Sequence, residues 1–253
     1  WYPGHIAKAE RKLQEQISLV DVVLEVVDAR IPLSSRYDNI EKFTKNKPVL
    51  VILNKADLAD PKQSSKWVSY LSKHTNNPVI LTNTNSSKDI SSVIKTTIEL
   101  GRPGIAQLIA KGRLPRPTRA MVIGMPNVGK SSIINKLIKT AKAGVGAKAG
   151  ITRVAQWIRV NPKLELLDTP GIIPMKLDNN ERAIKLAIVN SVSENAYDCE
   201  EIARELIKIL YYKYPEYLKM YYKLENIVQE PTLEDIAISR KRLMAGEKPD
   251  INR

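Results

Sequence analysis

Gly124-Met-Pro-Asn-Val-Gly-Lys-Ser131 is the stretch that decides the fold. It fits G-x-x-x-x-G-K-S, follows the apolar run Ala120–Ile123, and opens a helical pattern carried by Ile133, Ile134, Leu137 and Ile138. A strand, a glycine turn and a helix in that order aim successive backbone N–H groups and a helix N-terminus at an anion of phosphate size. The pattern assigns Lys130 to the β- and γ-phosphates of a nucleotide and the Ser131 hydroxyl to Mg²⁺. Asn127, Val128, Gly129 and Ser132 complete the loop. An ordinary tight turn is the competing reading, and in this strand-to-helix context it is the weaker one.

Outward from that loop, the first 174 residues repeat one arrangement: a short apolar run, a polar or glycine cluster, then a helical pattern. The runs are Val22–Val27, Val49–Leu53, Val79–Leu81, Ala120–Ile123 and Leu164–Leu167. Continuous rather than alternating apolar runs suit strands covered on both faces, as in a parallel sheet. Strand and helix in alternation predict an open α/β fold with its ligand beyond the carboxyl ends of the strands. Val154–Val160 alternates more, so it is expected as a half-exposed antiparallel edge strand.

Two further clusters follow strands. Asp168-Thr-Pro-Gly171 supplies a carboxylate that can hold Mg²⁺ through water and a Gly171 N–H for the γ-phosphate. The glycine-containing stretch 144–150 leads to Gly150-Ile-Thr-Arg153, where Thr152 either completes the Mg²⁺ shell on closure or is an ordinary β residue. Asn54-Lys-Ala-Asp57 selects the base. The Asp57 carboxylate can accept from guanine N1–H and the 2-amino group, a pair that adenine lacks. Asn54 can brace the neighbouring loop, the Lys55 stem can cover the base, and Ala56 lies between them. In Thr82-Asn-Thr-Asn85, Thr84 and Asn85 either offer backbone N–H groups to guanine O6 or form a plain loop.

The order is reversed relative to most GTPases, because the guanine-reading N-K-x-D precedes the phosphate loop. A site made from loops along one sheet edge depends on adjacency in space, so a circular permutation leaves it whole.

Charge is unevenly distributed. Residues 1–174 carry a net +14 and residues 175–253 a net −1; between Leu100 and Leu164 there are 13 basic residues and no acid. Such a field suits phosphates, although a solvated basic face with no partner is the bland alternative. One cysteine, Cys199, excludes an intrachain disulfide, and with two histidines it leaves too few ligands for structural zinc. The longest apolar runs are far short of a membrane span.

Pro170, Pro174 and Asp178-Asn-Asn180 mark a boundary, beyond which only helices are expected, at about 181–192, 198–213, 215–226 and 232–245. This tail holds seven of the ten tyrosines, interleaved with Lys213, Lys219 and Lys223. Tyr217 and Tyr221 share a helix face, as do Leu218 and Tyr222, so core packing is the leading reading and stacking on unpaired bases the second. Ser239-Arg-Lys-Arg242 is the tail's clearest phosphate-contact patch.

The permuted order, the opening Trp1-Tyr-Pro-Gly-His5, Asp28-Ala-Arg30 after the first strand and the helical tail resemble the ribosome biogenesis GTPase A family over essentially the whole chain. Its members are bacterial circularly permuted GTPases that help mature the large ribosomal subunit. The resemblance implies an α/β, circularly permuted P-loop GTPase domain over 1–174 (a mostly parallel sheet with helices on both faces), then a small all-α RNA- or ribosome-binding domain over 175–253. It implies a cytoplasmic, monomeric, Mg²⁺-dependent enzyme hydrolysing GTP to GDP and phosphate. Its partners would be the large-subunit precursor and rRNA, not DNA or a membrane, and it would act as a GTP/GDP switch late in assembly. It also makes Asn127 a candidate K⁺ ligand, with loop packing as the alternative.

Ile172 stands where many GTPases orient the attacking water with glutamine. His5 is therefore a catalytic candidate beside Lys130 and Gly171, or else it caps a helix starting near Ile6. Arg30 is a second charge candidate that equally suits RNA or a pair with Asp28. Rival readings are an RNA-binding scaffold with negligible hydrolysis and a mitochondrial relative with the same chemistry.

Overall fold

The computed structural model describes residues 3–37, 40–44, 46–142, 157–168, 171–172, 180–224, 229–243 and 248–251, with backbone alone at 3–7, 9, 141, 142, 171, 172 and 194. Two compact units divide the chain, Trp1–Leu177 and Asp178–Arg253. In the first, the elements are α1 (Pro3–Ser18), β1 (Val22–Asp28), α2 (Glu41–Thr44), β2 (Val49–Asn54), α3 (Pro61–Thr75), β3 (Val79–Thr82) and α4 (Ser87–Ala110). Then come β4 (Thr118–Gly124), α5 (Lys130–Lys142), β5 (Trp157–Asn161), β6 (Leu164–Leu167) and the two-residue β7 (Gly171–Ile172).

The strands lie in the order β3-β2-β1-β4-β6-β5, parallel except for β5, which runs antiparallel to β6 at the edge. β1 and β2 are buried at every position. Alternate residues of each strand face opposite sides of the sheet. On one side Val23, Val27, Val51, Leu53, Met121 and Ile123 join Leu13 and Ile17 of α1, Phe43 of α2 and Leu71 of α3 in one apolar cluster. On the other side α4 and α5 cover the sheet with Ile90, Val93, Ile133 and Leu137, all fully buried or nearly so.

The register aligns the carboxyl ends. Asp28 pairs with Asn54, Asn54 with Thr82, and Val26 with Gly124. β7, which the sequence pattern did not predict, continues beyond β6 and pairs Gly171 with Ile123 and Ile172 with Gly124. One glutamate breaks the apolar rule: Glu25, mid-strand and buried, accepts from Arg36 Nε at 3.0 and 3.2 Å. Burial pushes its carboxyl up to about 7 against the opposing pull of Arg36.

The second unit comprises α6 (Asn180–Ile188), α7 (Cys199–Lys213), α8 (Pro215–Tyr222) and α9 (Leu233–Ser239). Asp198 caps α7, and Thr232 with Asp235 forms a capping box on α9. Three of these helices end earlier than their apolar spacing predicts. Asn190, Lys223 and Lys241 each adopt a left-handed backbone, and the following N–H reaches back to Leu186, Lys219 and Ala237 respectively. These are Schellman-type terminations made without glycine, which spacing alone does not reveal. The core reading of the tyrosines is also corrected: Leu218 is buried, but Tyr212, Tyr214, Tyr217 and Tyr221 are exposed.

Candidate active site

The ends of β2 and β4, on either side of β1, bring the separated motifs together. Asn54, buried at the end of β2, donates from Nδ2 to the Val128 carbonyl at 2.9 Å, across 74 residues of sequence. Lys55 follows with φ +60, a conformation that turns its side chain back across the sheet edge. Its Nζ donates to the Asn127 carbonyl at 2.6 Å and to Asp28 Oδ2 at 2.9 Å. The guanine-type turn is thus bonded to the phosphate-type loop at two consecutive carbonyls.

Asp28 is the hub. The last residue of β1, it is wholly buried and accepts from Arg30 N (3.0 Å), Arg30 Nε (2.9 Å), an Arg30 terminal nitrogen (2.7 Å) and Lys55. Burial alone would raise its carboxyl, but the bonds from Arg30 and Lys55 outweigh that and hold it below the usual aspartate range. The bond to Asp28 likewise lifts Arg30, with a smaller contribution from the nearby Asp57 charge. The pair of Arg30 with Asp28, one of the readings of that residue, is present. The hub role of Asp28 was missed from sequence, although an aspartate closing an all-apolar strand two positions before an arginine is a usable signal.

The loop itself is curled as an anion cradle requires. Asn127 has φ +56, Gly129 φ +100 and Gly124 φ +149. At Gly129 a Cβ would stand 2.2 Å from Asn54 Nδ2, and at Gly124 one would stand 2.4 Å from the Val26 carbonyl. Glycine is therefore needed at both positions for space as well as for φ. Lys130, the first residue of α5, is largely buried; its Nζ donates to the Met125 carbonyl at 2.5 Å, and burial lowers its ammonium to about 8. Val128 is buried beneath the loop, whereas Ser131 and Ser132 are exposed at the start of α5.

Ala56 and Asp57 form a short 3-10 turn with Leu58, and the Asp57 carboxylate is exposed, open to a base. After β3, Asn85 N–H already donates to Asn83 Oδ1 at 2.8 Å, so that backbone donor is engaged inside the loop; Thr84 is half-buried. Asp168 is exposed just past β6, and Gly171 is held in β7 against β4. Thr152 lies outside the described residues, as does the side chain of His5. The backbone at His5 is inside α1, which starts at Pro3, so the reading of His5 as the cap of a helix from Ile6 does not hold. α1 lies against β7.

A glycine loop between strand and helix, cross-bonded to an N-K-x-D turn two strands away in a parallel sheet, defines a P-loop GTPase with permuted motif order. Residues 119–222 match the family described as "50S ribosome-binding GTPase". The chain is 39% identical to "Ribosome biogenesis GTPase A" of Bacillus licheniformis over 97% of its own length and 87% of that protein's. It is 38% identical to "Mitochondrial ribosome-associated GTPase 1" of Bos taurus over 83% of this chain and 65% of that one. Among solved structures, GNP-bound YlqF from T. maritima is similar at a TM-score of 0.63 and 29% identity, covering 97% of this chain and 89% of that one. The chain belongs to the ribosome biogenesis GTPase A family, and it is a GTP-hydrolysing enzyme.

Proposed function

We propose that this enzyme is a Mg²⁺-dependent GTP/GDP switch that binds the precursor of the large ribosomal subunit and its rRNA late in assembly, acting as a cytoplasmic monomer. The observation that carries the reading is the pair of bonds from Asn54 and Lys55 to Val128 and Asn127, which makes base recognition and phosphate binding one rigid unit. In that unit Asp57 reads guanine N1–H and the 2-amino group. The loop N–H groups of 127–132, with Lys130, hold the β- and γ-phosphates.

Hard oxygen donors fit Mg²⁺. The exposed Ser131 hydroxyl and the exposed Asp168 carboxylate follow neighbouring strands, and among the described residues no cluster of three or more acidic, histidine or cysteine ligands exists. A cation bound largely through phosphates and water needs no such cluster. Ser131, Thr152 and, through water, Asp168 would hold it, and when bound it neutralises charge on the phosphate oxygens.

In the reaction, water oxygen attacks the γ-phosphorus and the bond to the β–γ bridging oxygen breaks, leaving GDP and phosphate. Lys130 and the Gly171 N–H stabilise charge on the γ-phosphoryl oxygens. Ile172 cannot orient the water by hydrogen bonding, and His5, carried on the helix that lies against β7, takes that part. Asn127 is the proposed K⁺ ligand beside the phosphates; equal turnover in potassium and sodium chloride would remove it from the mechanism. The +14 net charge of residues 1–174 supplies phosphate contacts to rRNA, and residues 175–253 add an RNA-binding module.

Co-sedimentation with large-subunit precursors tests the reading. A GTP analogue should retain the protein on the particle and GDP release it, with particles also accelerating hydrolysis. Equal retention in both states, with no acceleration, would reduce the protein to an RNA-binding scaffold.

A further inference from the structure

The tyrosines of the second unit are arranged as a surface rather than a core. Tyr217 and Tyr221, four residues apart, share one side of α8, Tyr214 stands just before its first residue, and the exposures of Tyr214, Tyr217 and Tyr221 are 49%, 67% and 65%. Met220 beside them is 72% exposed, whereas Leu218, one turn from Tyr221, is buried and anchors the helix. Tyr214 meets Tyr217 edge-on with ring centroids 6.4 Å apart, and Tyr221 meets Tyr222 at 5.0 Å. From α9, Arg240 places its guanidinium 4.5 Å from the Tyr221 ring centroid and 5.2 Å from that of Tyr222. Ser239 donates to the Tyr222 carbonyl, which fixes the end of α9 to α8.

Charge marks the same place. Segments 211–223 and 239–242 hold six of the thirteen basic residues of 175–253 but only one of its fourteen acids. The rest of the unit is strongly acidic, so basic residues are concentrated in the segments that carry the rings. Exposed rings bordered by Arg240, in the basic segments of an otherwise acidic unit, match single-stranded nucleic acid: rings for the bases, cations for the phosphates.

We propose that the Tyr214–Tyr217–Tyr221 face, bordered by Arg240, is a stacking platform for unpaired bases of RNA. The identification of that RNA as ribosomal rests on the function proposed above; the stacking chemistry does not. A protein partner would also accept tyrosine and arginine, but it gives no reason for the enrichment of basic over acidic residues in these two segments of an otherwise acidic unit. A duplex keeps its bases stacked on each other and would use only the cations.

The test uses the full chain with a short unstructured RNA oligonucleotide and an RNA duplex of equal length, both fluorescently labelled. Wild type should bind the single strand more tightly than the duplex. Tyr217→Leu with Tyr221→Leu should weaken single-strand binding about tenfold or more, while Tyr217→Phe with Tyr221→Phe stays within about twofold because the rings remain. Duplex binding and GTP affinity should be unchanged in both. Equal single-strand binding by wild type and the leucine pair overturns the platform, and so does a phenylalanine pair as weak as the leucine pair. If the leucine pair loses co-sedimentation with ribosomal particles but keeps oligonucleotide binding, the face docks protein and the proposal is wrong. Particle-accelerated hydrolysis by wild type is scored separately, so failure of the ribosomal reading is not confused with failure of the platform.

Discussion

The carboxyl edge of the sheet and the outer side of α8 handle polar chemistry in opposite ways. At the sheet edge the decisive groups are interior: Asp28, Asn54 and Lys130 are all buried, and the first two link three chain segments through short bonds. On α8 the proposed platform uses exposed rings bordered by Arg240, with Leu218 as the buried anchor. A site that must reject the wrong base needs fixed partners, because a buried donor or acceptor left unpaired costs about 1–3 kcal/mol. A surface that accepts any unpaired base needs only exposed π-faces. The contrast predicts that changes at the sheet edge will cost both stability and nucleotide affinity, while changes on α8 will cost neither.

The sharpest test of that contrast is Gly129→Ala. Its methyl would occupy the space of the Asn54 amide at φ +100, so the bond to Val128 must break. We expect a loss of roughly 2–4 kcal/mol in urea unfolding and a fall in GTP affinity of about a hundredfold, with RNA binding by the tail unaltered. Loss of RNA binding as well would abolish the separation between the two regions.

Glu25 gives the next largest effect. Its folded value, about 7, lies above the ordinary 4.5, so the folded state binds the extra proton between those limits. Stability is then highest near pH 4.5 and declines as pH rises through 7, by about 3 kcal/mol at most for this group. Urea unfolding from pH 5 to 7.5 should show that slope in wild type and flatten in Glu25→Gln. A smaller effect comes from Lys130, whose ammonium is lowered to about 8 by burial. A triphosphate favours the charged form, so affinity is complete below that value and falls as pH rises through it. Between pH 7 and 8.5 GTP affinity should drop about fourfold, and Lys130→Arg, though weaker at every pH, should lose the slope.

Much of this design is legible in the amino-acid sequence. The five apolar runs became β1, β2, β3, β4 and β6, because a strand covered on both faces has little choice but continuous Val, Ile and Leu. β5 sits at the edge and runs antiparallel, as its alternation suggested. What escaped was set by single residues at special backbone angles. Lys55, Asn190, Lys223 and Lys241 take positive φ without being glycine, and three of them stop helices that their spacing would have continued. The tyrosines were misjudged for a related reason: periodicity shows that Tyr217 and Tyr221 share a face, but which face is covered depends on Leu218 and on where α8 ends.

The central claim is that the Asn54–Asp57 turn and the 124–131 loop serve one purine nucleotide. Asp57→Asn tests it most directly, because the amide presents a donor where the carboxylate presented an acceptor. The account predicts that GTP hydrolysis falls about a hundredfold at limiting substrate, while xanthosine triphosphate, which has a carbonyl at position 2, becomes the better substrate with Lys130 still required. An Asp57→Asn enzyme that hydrolyses GTP normally and ignores xanthosine triphosphate would contradict it.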